Sequence, residues 1–299
     1  MSASDNTTPF RTIYSEGFNC EKFIYHYTSF ETALRIIHSD KLLFSQLNNT
    51  NDPSEKKIKI SFMPNGIKNK KEYDDIRNSI VEYFDTYHKL FQAICFCQDI
   101  KLKNDELQKA ISRMNPKDRF YDFSGRGFAL PRMWAQYGEN SKGVCLIFNK
   151  KTILSSVDKD ISIKKYKKVE YYPFYHRFEL DKNKMNDIYR RISQSTNGVY
   201  TLINLLEVDS DFINYNFFEK NSDWENEREF RIIAMTDYYA KEKRVAINNI
   251  HDALEGIVIG ENAEEINIIS LKAILKKHAK KCKIRRLIFS DRLYRIKEE

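Results

Sequence analysis

The sequence predicts an α+β fold, and three observations carry that reading. Segments of strand composition are scattered among segments whose apolar residues recur at helical spacing, without the regular alternation of a doubly wound sheet. With 41% hydrophobic and 13% aromatic residues, a chain of 299 can fill one large core or two small ones. Neither GxGxxG nor GxxxxGK[ST] occurs, and the GRG at 125–127 lacks a strand-turn-helix setting, which argues against Rossmann and P-loop enzymes.

The elements follow in order. FIYHYT at 23–28 has strand composition, and Thr28-Ser29-Phe30-Glu31 forms a capping-box pattern before Phe30, Ala33, Leu34 and Ile37, which recur at helical spacing. Residues 42–55 (LLFSQLNNTNDPSE) read as a short strand entering a polar loop with a proline stop. Over 71–91, Tyr73, Ile76, Ile80, Tyr83, Phe84, Tyr87 and Phe91 share one helical face, and AICFC at 93–97 is a buried strand. Further on come a short helix at 131–137, a strand at Val144–Phe148, a lysine-studded strand near 162–172 and a mainly helical stretch at 181–207. Strands at 227–235 and 256–260, an amphipathic helix at 263–280 and a last strand at 284–289 complete the chain. No repeat, Pro/Ser-rich linker or glycine cluster marks a boundary, so 1–299 reads as a single module.

No stretch approaches the roughly 18 consecutive apolar residues of a membrane span. The start, MSASDNTTPFRTIYSEG, lacks the basic and apolar regions of a signal peptide, so a cytosolic location is expected. Five cysteines, Cys20, Cys95, Cys97, Cys145 and Cys282, are odd in number and without a spaced framework, and read as free thiols. The CxC at 95 and 97 has no second Cys/His pair at finger spacing, so no metal site is expected. Net charge is +8, with much of the excess in Lys164–Lys168 and in 272–286. Both runs suit phosphate contact and equally a solvated face.

Four patches stand out: Tyr25-His26-Tyr27-Thr28, Asn51-Asp52-Pro53, Trp134-Ala135-Gln136-Tyr137 with Lys142-Gly143-Val144, and Trp224 followed by Glu227-Arg228-Glu229-Phe230-Arg231. In this order and spacing they resemble a bacterial family catalogued as domain of unknown function 2971. The resemblance spans about 23–262 through HYTS (26–29), NDPSE (51–55), WAQY (134–137), KGVCLIF (142–148), WENEREFRI (224–232) and IVIG (257–260), with 263–290 as a helix and strand packed on that core.

A more distant resemblance supplies chemistry. The HxT strand with its capped helix, and an ExE pair on a later strand, look like the split NAD-binding sheet of ADP-ribosyltransferase toxins, without their Ser-Thr-Ser motif. What this implies is NAD held between strand 23–28 and the Glu229 strand, with His26 on the adenosine ribose, Thr28 completing the HxT motif, Glu229 catalytic and Glu227 orienting the acceptor. Tyr27, Trp134 and Tyr137 are candidates for the aromatic clamp on nicotinamide.

Residue chemistry fits that implication. Cleaving the nicotinamide glycosidic bond gives the ribose oxocarbenium character, which a fixed carboxylate stabilises. Alternation along a strand puts Glu227, Glu229 and Arg231 on one face, where Arg231 can keep a carboxylate ionised or grip a pyrophosphate. Each patch also has an ordinary structural role: a satisfied core histidine, an Asx turn at Asp52, core anchors at Trp134 and Tyr137, a solvated charged strand. The expectation is ADP-ribose transfer from NAD to a macromolecule, single-stranded RNA or DNA, in a toxin or anti-phage effector with an inhibitory partner protein. Trp224 is then available for base stacking. An NAD glycohydrolase and a non-catalytic nucleic-acid or protein-binding module are the alternatives.

Overall fold

The computed structural model describes residues 21–57, 59–62, 69–101, 105–106, 123, 125–161, 164–174, 178–180, 182–206, 210–236, 244–279, 282–290 and 293–299. Cys20, the start of the chain and positions 280–281 of the second basic run lie outside them.

Strand β1 (Phe23–Thr28) leads directly into helix α1 (Phe30–Ser39), as the hydrophobic spacing requires. The N-cap is Ser29, whose hydroxyl accepts the Thr32 N–H at 3.1 Å, one residue later than the capping-box pattern placed it. Glu31 instead pairs with Arg35 one turn on. Then come β2 (Lys41–Leu43), β3 (Ser45–Gln46), tight 3-10 turns at Leu47–Asn49 and Pro53–Lys56, and β4 (Ile60–Phe62). Helix α2 (Lys70–His88) buries Ile80, Phe84 and Tyr87 completely, while Phe91 already belongs to β5 (Phe91–Cys97).

The middle of the chain supplies α3 (Pro131–Gln136), β6 (Val144–Asn149), α4 (Lys150–Asp160), β7 (Lys164–Lys168), β8 (Glu170–Tyr172) and β9 (Phe178–Leu180). The single lysine strand read from sequence is thus two, β7 and β8. Helices α5 (Lys182–Ser193), α6 (Gly198–Leu206) and α7 (Ser210–Phe217) precede β10 (Glu219–Asn221), a 3-10 turn at Ser222–Glu227 and β11 (Glu229–Met235). The last part runs β12 (Ala246–Asn248), β13 (Leu254–Ile259), α8 (Glu265–His278), β14 (Lys283–Ser290) and β15 (Leu293–Glu298). The sequence reading did not foresee β15.

One nine-stranded sheet organises these elements, in the order β15-β14-β13-β6-β1-β5-β11-β7, with β3 also paired to β5. Its pairs are antiparallel except β13 with β14, which α8 connects as a crossover. Helices cover both faces. Ile24, Ile94, Phe96, Phe230 and Ile232 point into a core beneath α1, α4 and α8. On the other face Phe91, Ala93 and Ile233 meet α2, α5, α6 and α7, while Tyr25, Cys97 and Ile147 meet the segment from Phe123 through α3. The mixed α+β class is as expected. The four described cysteines are free.

The GRG segment serves packing. Arg126 is fully buried, donates to the Tyr25 hydroxyl at 2.7 Å and pairs with Asp99 at 3.2 Å. Gly127 lies so close to the Tyr25 ring that a Cβ there would sit 2.1 Å from it, so only glycine fits.

Between β1 and β5 the sheet nearly parts. Strand β6 pairs with all of β1 and β11 with all of β5, yet β1 and β5 share the single register pair Tyr25↔Cys97. Because β11 takes one edge of β5 along its whole length, β1 and β3 must share the other, β1 at Cys97 and β3 at Ala93 and Gln92. Residues 94–96 are left facing a window in the sheet.

A candidate active-site cleft at the sheet window

A cavity of about 900 Å³ opens at this window. Strands β1 and β5, the start of α1, the segment from β2 through Asn51, and the Glu227 region contribute its walls. His26 bridges the gap: its Nδ1 lies 3.1 Å from the Cys95 carbonyl, which can only accept, so the proton in that bond is on Nδ1. Burial lowers the His26 pKa and keeps the ring neutral, although the bond to Cys95 works the other way. Thr28 lines the cavity at the end of β1, just ahead of the α1 cap.

Tyr27 is held from behind. Its hydroxyl donates to the Gly127 carbonyl at 2.8 Å and accepts the Leu130 N–H at 3.2 Å, and its ring meets Trp134 edge-on at 5.0 Å. Burial raises its pKa well above 10.

The opposite wall carries charge. Lys220, at the centre of β10, places its ammonium 2.8 Å from Glu227 Oε2, 3.0 Å from Glu229 Oε2 and 3.8 Å from Glu55 Oε2. Arg231 holds Glu229 with two bonds, Nε to Oε1 at 2.6 Å and a terminal nitrogen to Oε2 at 2.9 Å. It also meets Glu55 at 2.5 Å and donates to the Phe217 carbonyl at 2.9 Å. All five side chains are no more than 6% exposed. Burial alone would raise the Glu229 pKa, but Arg231 and Lys220 outweigh it and hold the carboxyl far below the usual range. For Lys220 burial pulls downward, and the carboxylates prevail and push its pKa up.

Tyr137 closes the cluster at the cavity, its hydroxyl donating to Glu227 Oε1 at 3.0 Å. Burial and the Glu227 charge raise its pKa, so it stays a donor.

Local sequence explains this convergence. Asp52 accepts the Ser54 N–H at 2.8 Å in an Asx turn, and Pro53 opens the 3-10 turn that buries Glu55. The Asn-Asp-Pro patch is a turn, as its composition suggests, and its product is a buried carboxylate. Glu227 ends a 3-10 turn, and Arg228 takes a left-handed conformation (φ 47°) before β11 starts. Glu227 therefore joins Glu229 through a turn, where sequence alternation had assumed a strand through 227.

Several predicted site residues occupy other positions. Trp134 is core: it is 2% exposed, donates from Nε1 to the Phe128 carbonyl at 2.9 Å and is absent from the cavity wall, which removes it from the aromatic clamp. Arg231 lies behind Glu229, with its nitrogens committed to Glu229, Glu55 and Phe217, so it does not grip a pyrophosphate. Trp224 is half-buried off the cavity wall, with the Arg132 guanidinium 4.8 Å from its ring and Lys220 at 5.4 Å. His26 and Glu229 meet the cavity from opposite faces of the sheet, because Tyr25, Cys97 and Glu229 form one row across it and His26 is the next residue along. Nor are β1 and β11 neighbours, since β5 runs between them.

The basic runs are not at the cleft. β7 is one edge of the sheet, and the described residues of 272–286 lie in α8 and β14 or next to them, near the other edge. Lys164, Lys167 and Lys168 are paired with Asp158, Glu170 and Glu21. Glu55 and Lys220 are the site residues that sequence reasoning missed.

Among the described residues no group of three or more His, Cys, Asp or Glu side chains is placed to hold a metal ion, and no helix is long and apolar enough to cross a membrane. Residues 133–232 match the family model described as "Protein of unknown function (DUF2971)", a span that takes in most of α3, all of β6, Lys220, Glu227, Glu229 and the first part of β11. No curated protein and no solved structure matches the chain.

Proposed function

We propose that this chain, a member of the DUF2971 family through residues 133–232, is an ADP-ribosyltransferase that takes NAD as substrate in the cleft at the sheet window. The observation that carries the reading is a buried carboxylate, Glu227, fixed beside Lys220 on the wall of a cavity at the upper end of the range for ligand clefts, about 300–1,000 Å³. Glu229, next to it, is held ionised by Arg231 and Lys220, which rules it out as a proton donor at neutral pH.

In the reaction, the bond between ribose C1′ and the nicotinamide nitrogen breaks and its electron pair neutralises the pyridinium. The acceptor oxygen or nitrogen bonds to C1′ and passes its proton to solvent. Fixed negative charge on the cleft wall stabilises the oxocarbenium character between those events. Neutral His26, with Nε2 as an acceptor, and Thr28 offer hydrogen bonds to ribose hydroxyls, and Tyr27 and Tyr137 offer aromatic surface. A sheet that parts between its first strand and the strand beside ExE is in keeping with the split sheet that the sequence resemblance implies.

The acceptor we propose is single-stranded RNA or DNA, and the setting a toxin or defence effector restrained by a partner protein. The test is incubation of the purified protein with labelled NAD and, separately, RNA, DNA and protein. Nicotinamide release with label on a nucleic acid is the expected result, and His26→Ala should raise the concentration of NAD required. Release without label on any acceptor indicates a glycohydrolase, and no release under any condition removes NAD chemistry altogether.

A further inference from the structure

The two carboxylates of the ExE pair are not equivalent. Glu229 is the second of them, standing on the regular strand β11, and both its oxygens are engaged by the Arg231 guanidinium. Lys220 lies 3.0 Å from Oε2, the Cys95 thiol donates to the same carboxylate, and the Glu229 N–H donates to the Tyr171 hydroxyl at 2.9 Å. A carboxylate offers about four acceptor positions, and Arg231, Lys220 and Cys95 fill most of them. Reaching a ribose hydroxyl would require Glu229 to leave Arg231, whose charge is fully buried.

Glu227 is held differently. Tyr137 takes one oxygen and Lys220 the other, each with a single bond, and both partners line the cavity. Each oxygen thus keeps acceptor capacity, and the 3-10 turn with left-handed Arg228 fixes the backbone that presents it.

We infer that Glu227 is the carboxylate that meets the NAD ribose, that Tyr137 and Lys220 are its positioning residues, and that Glu229 is a structural counter-charge. This rests on the ADP-ribosyl-transfer reading and assigns the roles within it. Lys220 is shared by the two carboxylates and Glu55, so it fixes the distance between the reacting carboxylate and the buried Glu55–Arg231–Glu229 pairings. Tyr137, brought in by α3, joins that wall to the segment below β1.

The experiment measures nicotinamide release by full-length protein, with kcat and KM for NAD separated and a melting curve for every variant. For Glu227→Gln the expected loss is about 100-fold or more in kcat with KM within about threefold of wild type. For Tyr137→Phe, which removes one hydrogen bond and little volume, kcat falls about tenfold while KM and melting temperature hold. Lys220→Met loses turnover and Lys220→Arg recovers part of it. Glu229→Gln lowers the melting temperature, but its folded fraction keeps kcat within about threefold. Should Glu229→Gln fail to fold, Arg231→Lys is read in its place, since it retains the charge and breaks the two-bond lock; the same kcat is expected. Equal loss of kcat in Glu227→Gln and in folded Glu229→Gln or Arg231→Lys overturns the assignment while NAD cleavage by wild type leaves the broader reading standing. Absence of cleavage by wild type overturns both.

Discussion

Glu229 and His26 make stability depend on acidity in two separate windows. Glu229 has a folded pKa below its ordinary 4.5, so its contribution is complete above the unfolded value and is lost as pH falls toward the folded one. His26 has a folded pKa below 6.5, so the unfolded chain binds the extra proton and stability also declines as pH drops below about 6.5. Melting temperatures recorded from pH 8 to pH 3 should therefore fall in two stages. Glu229→Gln should flatten the lower one, and its melting curve at pH 7 should show a cost of about 3–5 kcal/mol, because it breaks a buried ion network. His26→Ala should weaken the upper stage without abolishing it, since burial depresses His88 as well. A melting temperature flat down to pH 5 would contradict the His26 assignment, and one flat from there to pH 3 the Glu229 assignment. At Trp134, truncation to Ala should cost about 3–5 kcal/mol in denaturant unfolding and leave NAD affinity of the folded protein unchanged, as befits a ring that packs on Tyr27 and does not reach the cavity.

At the scale of elements, apolar composition located the strands that are buried on both faces, and apolar periodicity the helices that are buried on one. FIYHYT, AICFC, the helix ending in Ile80, Phe84 and Tyr87, and the crossover α8 were legible because their packing partners are set by local spacing. Glu229 and Arg231 were legible as a shared face for the same reason. Glu227 shares a wall with Glu229 by a route the sequence does not mark: a 3-10 turn has no period-two signature, and Arg228 in a left-handed conformation carries no mark such as glycine. Lys220 was invisible because what distinguishes it is three carboxylates from other parts of the chain, and no short pattern encodes them. The lysines of β7 gain an element-level role from the sheet order. They line an edge strand, where cations deter pairing with a second molecule. Replacing Lys165 and Lys167 with valine should produce concentration-dependent association in light scattering; a variant that stays monodisperse would leave these lysines without that role.

Across the whole molecule, the two basic runs are separated by the breadth of the sheet. From β7 to β14 there are six strand spacings, roughly 30 Å at about 4.8 Å each. They cannot form one compact phosphate-binding patch, so any nucleic acid would be held by one run or would stretch across a face. Binding to single-stranded RNA or DNA should weaken steeply with salt through counterion release, and charge reversal in 272–286 should reduce that slope more than reversal in 164–168, whose lysines are largely paired with acids. A flat salt response in both variants would leave a protein or small-molecule acceptor. The single register pair between β1 and β5 has a mechanical consequence at this scale. Ladder bonds stiffen a sheet along its width, and here that stiffness is interrupted at one seam, bridged by Tyr25↔Cys97 and the His26 to Cys95 bond. The sheet is thus two plates on a narrow pivot, and a substrate seated across the window rivets them together. Slowed amide exchange in β1 and β5, far beyond the atoms that touch the substrate, is the signature of that riveting.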